Sequence, residues 1–261
     1  MNNKNINSVP ISVVIITKNE EKNIENCISS VREWADEVIV VDDESTDKTI
    51  DIARRLGAKV FARKMDIEGV HRNWAYAQAK NTWVLSLDAD ERATPELGEE
   101  IKSVLGSNTP YVAFSIPLRN YIGKYWVKHG GWYPAAKVRF FRKDKFKYEE
   151  VKVHPRAFID GKCGHLTKDI IHYGYPDISH FLDSINRQTT WEAEKWYGQG
   201  KPVTLGRFLW RTYDRFMRAY FGKKGWKDGF IGFVIAYYAG LYQWMSYLKY
   251  KELILRKEGK I

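Results

Sequence analysis

The chain has 261 residues, 44% of them hydrophobic and 28% charged, with a formal net charge of +10. This size and balance suit one large domain, or a domain with a long appendage, and exclude a disordered chain. The positive excess favours a polyanionic partner such as nucleic acid, an anionic membrane or a phosphorylated substrate, while two distant cysteines, Cys27 and Cys163, exclude a disulfide framework or a cysteine zinc site.

Residues 1–8 are polar and Asn-rich, without the apolar core of a signal peptide. Together with the cysteine usage this points to the cytoplasm. Ser12 to Ile16 is a short β-branched run, expected as a strand buried on both faces. A helix is expected from about Glu20, where Ile24, Cys27, Ile28 and Val31 share one face. Glu37 to Val41 is expected as a second buried strand. Ser45 or Thr46 is expected to cap the next helix, with Ile50, Ala53 and Leu56 on its inner face and Gly57 as its stop.

Lys59 to Ala62 is read as a third strand, Gly69 to Ala79 as a helix, and Thr82 to Leu87 as a fourth strand that ends at Asp88. Thr94-Pro95 opens another helix with Pro95 at its first position. This alternation predicts an α/β fold with a mostly parallel sheet and right-handed crossovers. Beyond Tyr111, Val112 to Ile116 and Val138 to Phe141 are expected strands, and from about Ile178 the chain reads as helical. The expected division is a catalytic domain over 9–177, in halves 9–110 and 111–177, followed by a helical extension over 178–261.

In parallel sheets ligands bind at the carboxyl ends of the strands. Three acidic or polar clusters fall there: Thr17-Lys18-Asn19-Glu20, Asp42-Asp43-Glu44-Ser45-Thr46-Asp47, and Asp88-Ala89-Asp90-Glu91. Arg72 and Asn73 lie on the helix before the fourth strand. In an extended segment Asp88 and Asp90 point the same way. Their mutual repulsion is relieved by a hard cation, Mg²⁺ or Mn²⁺, which also neutralises a leaving nucleoside diphosphate. The plainer alternative is that acidic residues after a strand cap the next turn. Asp43 can accept from a nucleobase N–H, or serve the turn. Arg72 can hold a phosphate, or be a solvated surface arginine. No GxxxxGK[ST], GxGxxG or GxSxG pattern occurs, which argues against a P-loop, a dinucleotide site and a nucleophile elbow.

The segments Val13-Val14-Ile15-Ile16-Thr17-Lys18-Asn19-Glu20, Val40-Val41-Asp42-Asp43-Glu44-Ser45-Thr46-Asp47 and Leu87-Asp88-Ala89-Asp90-Glu91 resemble, in order and spacing, three signatures of family 2 glycosyltransferases. The likeness extends to Arg72-Asn73-Trp74-Ala75, Val138-Arg139-Phe140-Phe141-Arg142 and Gly225-Trp226-Lys227-Asp228-Gly229, and is similar in particular to the lipopolysaccharide-core and exopolysaccharide branch. The resemblance implies a single nucleotide-diphospho-sugar domain of the GT-A type with a variable acceptor region. It implies nucleotide-sugar contacts from Thr17, Lys18, Asn19, Glu20, Asp43, Arg72 and Asp88, and metal contacts from Asp90 with Asp88 nearby. It further implies an inverting, metal-dependent hexosyltransferase, commonly with a UDP-linked donor. Where such enzymes often carry Val-His-Glu, this chain has Glu149-Glu150-Val151-Lys152-Val153-His154-Pro155, so Pro155 stands at the Glu. Glu150 and His154 remain as candidate bases, and Glu150 is preferred. His172 is read as a hydrogen-bonded core histidine in preference to a further metal ligand.

Arg207, Arg211, Arg215 and Arg218 form one helical stripe amid Phe208, Leu209, Trp210, Tyr213, Phe216, Met217 and Tyr220. Basic charge beside bulky aromatics suits a helix lying on an anionic bilayer. The uncharged stretch Gly229 to Leu248 contains three Gly, four Tyr, Gln243 and Ser246, and reads as an interfacial or packed helix in preference to a span. The expected partners are a nucleotide-sugar donor, a lipid-linked glycan acceptor and the inner membrane face, with no nucleic acid. A nucleic-acid-binding protein would leave the three acidic clusters unexplained. A non-catalytic membrane scaffold of the same fold is the other alternative, kept open by Pro155.

Overall fold

A computed structural model describes residues 9–151, 155–200 and 204–261. The described residues pack into two compact units, one drawn from 9–118 and 136–172 and the other from 119–135 and 173–261. The segments 119–135 and 173–177, assigned from sequence to the catalytic domain, thus pack with the C-terminal helices.

The first unit opens with β1 (Val9–Thr17), α1 (Ile24–Ser29), β2 (Ala35–Asp42), α2 (Thr49–Arg55) and β3 (Lys59–Ala62). It continues with α3 (Glu68–Ala77), β4 (Trp83–Asp88), β5 (Glu91–Ala93), α4 (Pro95–Leu105) and β6 (Tyr111–Ile116). Following a short strand pair over 118–126 (β7, Leu118–Ile122, and β8, Tyr125–Trp126) come β9 (Lys137–Arg142), β10 (Phe146–Tyr148), β11 (Ala157–Ile159), β12 (Lys162–His165) and β13 (Ile170–Tyr175). The central sheet has the order β12-β6-β9-β4-β1-β2-β3. Strands β3, β2, β1 and β4 are mutually parallel, and β9 runs antiparallel between β4 and β6.

Alternation along β1 explains the layering. Val13 and Ile15 face a core built with α1, α2 and α4, while Val14 and Ile16 face a second core with Ala75 and Tyr76 of α3. Both faces are apolar because helices cover both. Thr17 pairs with Asp42, Asp42 with Ala62, and Ile16 with Asp88, so the parallel strands end level and present their exit loops along one edge.

Two local expectations change. The first helix begins at Ile24, after a turn at Glu20. The second begins at Thr49 and is capped by neither Ser45 nor Thr46; Asp47 accepts from the Thr49 amide at 3.0 Å instead. Ser45 is taken by Asp42, whose carboxylate receives its amide and hydroxyl. Gly57 does end α2 in the left-handed region, with φ of 81°. Thr94 caps α4 by accepting from the Leu97 amide at 3.2 Å.

The second unit comprises 119–135 with α5 (Ile178–Gly198), α6 (Leu205–Met217), a π-turn over Arg218–Gly222, a 3₁₀ turn over Gly225–Asp228, and α7 (Gly229–Lys257). Ala193, Trp196, Phe208, Tyr247 and Tyr250 join the three helices in one cluster. Among the described residues, no helix is long and apolar enough to cross a membrane.

The start of α3 is pressed against the strand exit at 149–151. A Cβ on Gly69 would lie 1.8 Å from the Glu149 carbonyl oxygen. We expect Gly69→Ala to destabilise the protein by about 1–3 kcal/mol through overpacking, seen as a lower urea midpoint at unchanged slope.

Candidate active site

The level strand ends bring the polar clusters together. Asn19, leaving β1, adopts φ of 53°, a conformation that asparagine tolerates. Its amide donates to Ser45 Oγ at 2.7 Å, and its Oδ1 accepts from the Thr46 amide at 2.8 Å. Asn19 thereby ties the β1 exit to the β2 exit. Glu20 continues the tie through its amide to Thr49 Oγ1 at 2.8 Å. Burial, then the nearby carboxylates, hold the Glu20 carboxyl above its ordinary range despite a hydrogen bond from Asn23.

The adjacent aspartates divide their work. Asp42 is fully buried and shapes the turn through Ser45. Asp43, almost as buried, accepts from the Met65 amide through Oδ1 at 2.8 Å and from Lys18 Nζ through Oδ2 at 2.9 Å. Asp43 thus joins the exits of three strands. Burial pushes its carboxyl up, but these two donors outweigh burial and hold it below the ordinary value. Beside it, Thr17 Oγ1 is buried and has no hydrogen-bond partner among the described residues. A buried orphan hydroxyl at a ligand edge is the kind of group a bound nucleotide satisfies.

A second cluster centres on Asp88. Arg72 of α3 donates through Nη2 to Asp88 Oδ1 at 2.9 Å and through Nε to Glu68 at 3.0 Å. Arg139 of β9 donates through Nη2 to Asp88 Oδ2 at 2.7 Å and to Glu91 Oε1 at 2.6 Å. Glu91 Oε2 accepts from the Asp88 amide at 2.9 Å. Burial disfavours the Asp88 charge, yet Arg139 and Arg72 together hold its carboxyl far below the ordinary range. Glu91, with no exposed surface, is pushed up by burial and by Asp88 against the pull of Arg139. Arg72 Nη1 is buried without a partner among the described residues.

This arrangement corrects the expected geometry of the Asp88-Ala89-Asp90 triplet. The strand ends at Asp88 and the chain turns over Ala89-Asp90, so the two aspartates do not share one extended segment. Arginines already balance Asp88, and both its oxygens are engaged. Asp90 stands apart from them, with Oδ2 3.3 Å from Nε2 of His172. His172 reaches it because β13 pairs with β5, placing His172 opposite Glu91. Burial lowers the His172 pKa, but Asp90, Glu91 and Asp88 reverse the shift and raise it.

Among the described residues, no group of three or more His, Cys, Asp or Glu side chains forms a ready-made metal cage. Asp90 with His172 is a sparse, partly exposed donor set. It fits a hard divalent ion that keeps several waters and takes phosphate oxygens from its substrate. It does not fit a tetrahedral structural site.

Glu150 is exposed and paired with Lys147 at 2.8 Å. His154 lies outside the described residues. Lys18 is half-exposed and serves Asp43. Sequence reasoning assigned no role to Arg139 or Glu91. Arg139 does carry a legible signal, a cation flanked by apolar residues in Val138-Arg139-Phe140-Phe141. Such a residue must find buried carboxylates. We expect Arg139→Ala to cost about 3–5 kcal/mol, since it strands the fully buried Glu91 and removes a partner of the partly buried Asp88. Asp90→Asn, at a partly exposed site, should cost no more than about 1 kcal/mol. Urea denaturation of the two variants checks both.

The glycosyl transferase family 2 profile matches residues 12–166, which span every group described above except His172. An uncharacterized glycosyltransferase of Rickettsia typhi is 31% identical over 264 residues, covering 96% of this chain and 90% of that protein. The lipopolysaccharide core biosynthesis glycosyltransferase LpsC of Rhizobium meliloti is 25% identical, covering 94% of this chain and 93% of its own. A crystal structure of glucosyl-3-phosphoglycerate synthase from Mycobacterium tuberculosis is 17% identical, with a TM-score of 0.48 and coverage of 67% of this chain and 74% of that chain. By the extent of the profile match and of the relatives' coverage, the chain belongs to glycosyl transferase family 2.

Proposed function

We propose that the protein is an inverting, metal-dependent transferase that moves a sugar from a nucleotide diphosphate, probed first as UDP-linked, to a lipid-linked glycan of the cell envelope. The observation that carries this reading is the pairing of two sites at one sheet edge. One is a cationic pair, Arg72 and Arg139, held on Asp88. The other is a carboxylate–imidazole pair, Asp90 and His172. Family membership supports the chemistry, and similarity to LpsC over most of both chains supports a role in lipopolysaccharide synthesis.

In this reading Thr17 and Asp43 receive the nucleobase and ribose, with Lys18, Asn19 and Glu20 shaping that wall. Arg72 turns its unsatisfied Nη1 to the diphosphate. Asp88 fixes Arg72 and Arg139 and contributes negative charge near the metal. Asp90, with His172, holds Mg²⁺ or Mn²⁺, which when bound neutralises charge on the departing diphosphate. The acceptor hydroxyl oxygen bonds to the anomeric carbon as its bond to the diphosphate oxygen breaks. The hydroxyl proton passes to a carboxylate, and Glu150 is our candidate for it. Because Arg72 and Arg139 are fixed by buried pairs, they meet the diphosphate without reorganising.

Membrane contact is assigned to α6. Leu209, Trp210 and Tyr213 are exposed on it, as are Arg207 and Arg215, with exposed Arg218 directly after its end. An exposed aromatic edge bordered by arginines is suited to an anionic interface.

Two measurements test the reading. Purified protein offered a panel of sugar nucleotides with Mn²⁺ or Mg²⁺ and lipid extract should release nucleoside diphosphate from one donor. Asp90→Ala should lower that rate by about 100-fold or more; failure to turn over or bind any donor would return the protein to the scaffold alternative. Sedimentation with phosphatidylglycerol vesicles should exceed that with phosphatidylcholine vesicles, weaken with salt, and fall for Trp210→Ser with Arg207→Glu. Equal binding to both vesicle types would remove the membrane assignment.

A further inference from the structure

The motif Gly225-Trp226-Lys227-Asp228-Gly229 takes no part in the chemistry above. It builds a separate feature inside the helical unit. Asp228 ends the 3₁₀ turn and is buried. Its Oδ1 accepts from the Tyr125 hydroxyl at 3.2 Å and from the His129 ring through Nδ1 at 3.1 Å. Its Oδ2 accepts from the amides of Lys128 at 3.1 Å and His129 at 2.7 Å. Four donors converge on one carboxylate, so the segment from β8 through His129 is pinned to the start of α7. Burial, and then the Asp228 charge, hold the Tyr125 phenol above its ordinary pKa, which keeps it a donor.

The pinned segments wall a cleft of about 820 Å³ lined by Lys124, Tyr125, Trp126, Lys128, His129, Trp226, Lys227, Asp228 and Gly229. Its volume is that of a small-molecule site. Three lysines line it, and the one carboxylate among its lining residues is Asp228, whose oxygens are already saturated. The cleft is therefore cationic on balance, three lysines against one buried carboxylate. It is also aromatic. Lys128 Nζ lies 4.7 Å from the centroid of Trp126, whose ring also carries the Arg119 guanidinium at 4.5 Å. Lys227 Nζ lies 5.6 Å from the Trp226 ring, and Trp226 is 51% exposed.

These two properties select one ligand chemistry. Lysine ammoniums are compact point charges that suit phosphate. A large exposed indole face suits the C–H face of a sugar ring and offers little to a bare inorganic anion. A nucleic acid would need a basic track continuing beyond the cleft, whereas three lysines and one exposed indole within a single open cleft match one phosphorylated sugar. We propose that this cleft binds a phosphate-bearing glycan, with Lys124, Lys128 and Lys227 on the phosphate and Trp226 on a sugar face. Assigning that ligand as the acceptor rests on the transferase proposal; the binding itself does not.

Calorimetric titration of the whole chain with glucose 6-phosphate, glucose and inorganic phosphate tests the site. Glucose 6-phosphate should bind more tightly than either of the other two, and more weakly as salt rises. Lys128→Ala with Lys227→Ala should weaken it about tenfold. Trp226→Ala should weaken glucose 6-phosphate and leave inorganic phosphate unchanged. All three side chains are exposed, so the variants should keep the parent thermal midpoint. No binding of glucose 6-phosphate would overturn the proposal. So would binding no tighter than that of phosphate and indifferent to Trp226→Ala. Titration of the same variants with the sugar nucleotide should match the parent; loss of donor binding in the parent itself would sink the transferase reading and leave this test standing.

Discussion

The constraint on which the first unit depends is the burial of Arg139 against Asp88 and Glu91. Moving two carboxylates and a guanidinium out of water costs several kcal/mol per ion, and only short, well-directed contacts offset it. The contacts here, 2.6 and 2.7 Å, meet that requirement. Their geometry in turn demands that β9 run antiparallel beside β4, so that an arginine midway along one strand reaches the carboxyl end of the other. Arg72 approaches from α3 on the opposite oxygen of Asp88. Strand order, helix placement and side-chain charge therefore agree at one carboxylate.

The remainder of the edge is organised by hydrogen bonds between loops. Asn19, Ser45 and Asp42 interlock the first two strand exits, and Asp43 with Met65 and Lys18 brings in the third. Short polar residues dominate because each exit must satisfy backbone groups while bending sharply. The result is an edge whose loops hold one another, while Thr17 Oγ1 and Arg72 Nη1 are left with unmet hydrogen-bonding capacity. Unsatisfied buried groups at such an edge are where a ligand gains most.

The helical unit follows the same logic at smaller scale. Aromatic residues form its interior, as in the cluster of Trp196, Phe208 and Tyr247, and they also remain on its surface at Trp210, Trp226 and Phe230. A single buried carboxylate, Asp228, orders the polar segment that the aromatics cannot.

The sequence by itself determined the alternating elements, because buried strands and amphipathic helices carry different periods that can be counted residue by residue. It also set the acidic clusters at one sheet edge, since they recur directly after strands that end level, and three ordered motifs identified the family. It separated a packed or interfacial helix over 229–248 from a membrane span by composition. What only the tertiary structure decided were pairings between distant residues. Arg139 is 51 positions from Asp88, and His172 meets Asp90 through a strand pairing that local pattern does not encode. Ser45 looked like a helix cap and instead serves Asp42, because a hydroxyl near a turn has several equally good local acceptors. The unequal roles of Asp88 and Asp90 were hidden for the same reason: a turn after the strand, and not the spacing of two, sets where each carboxylate goes.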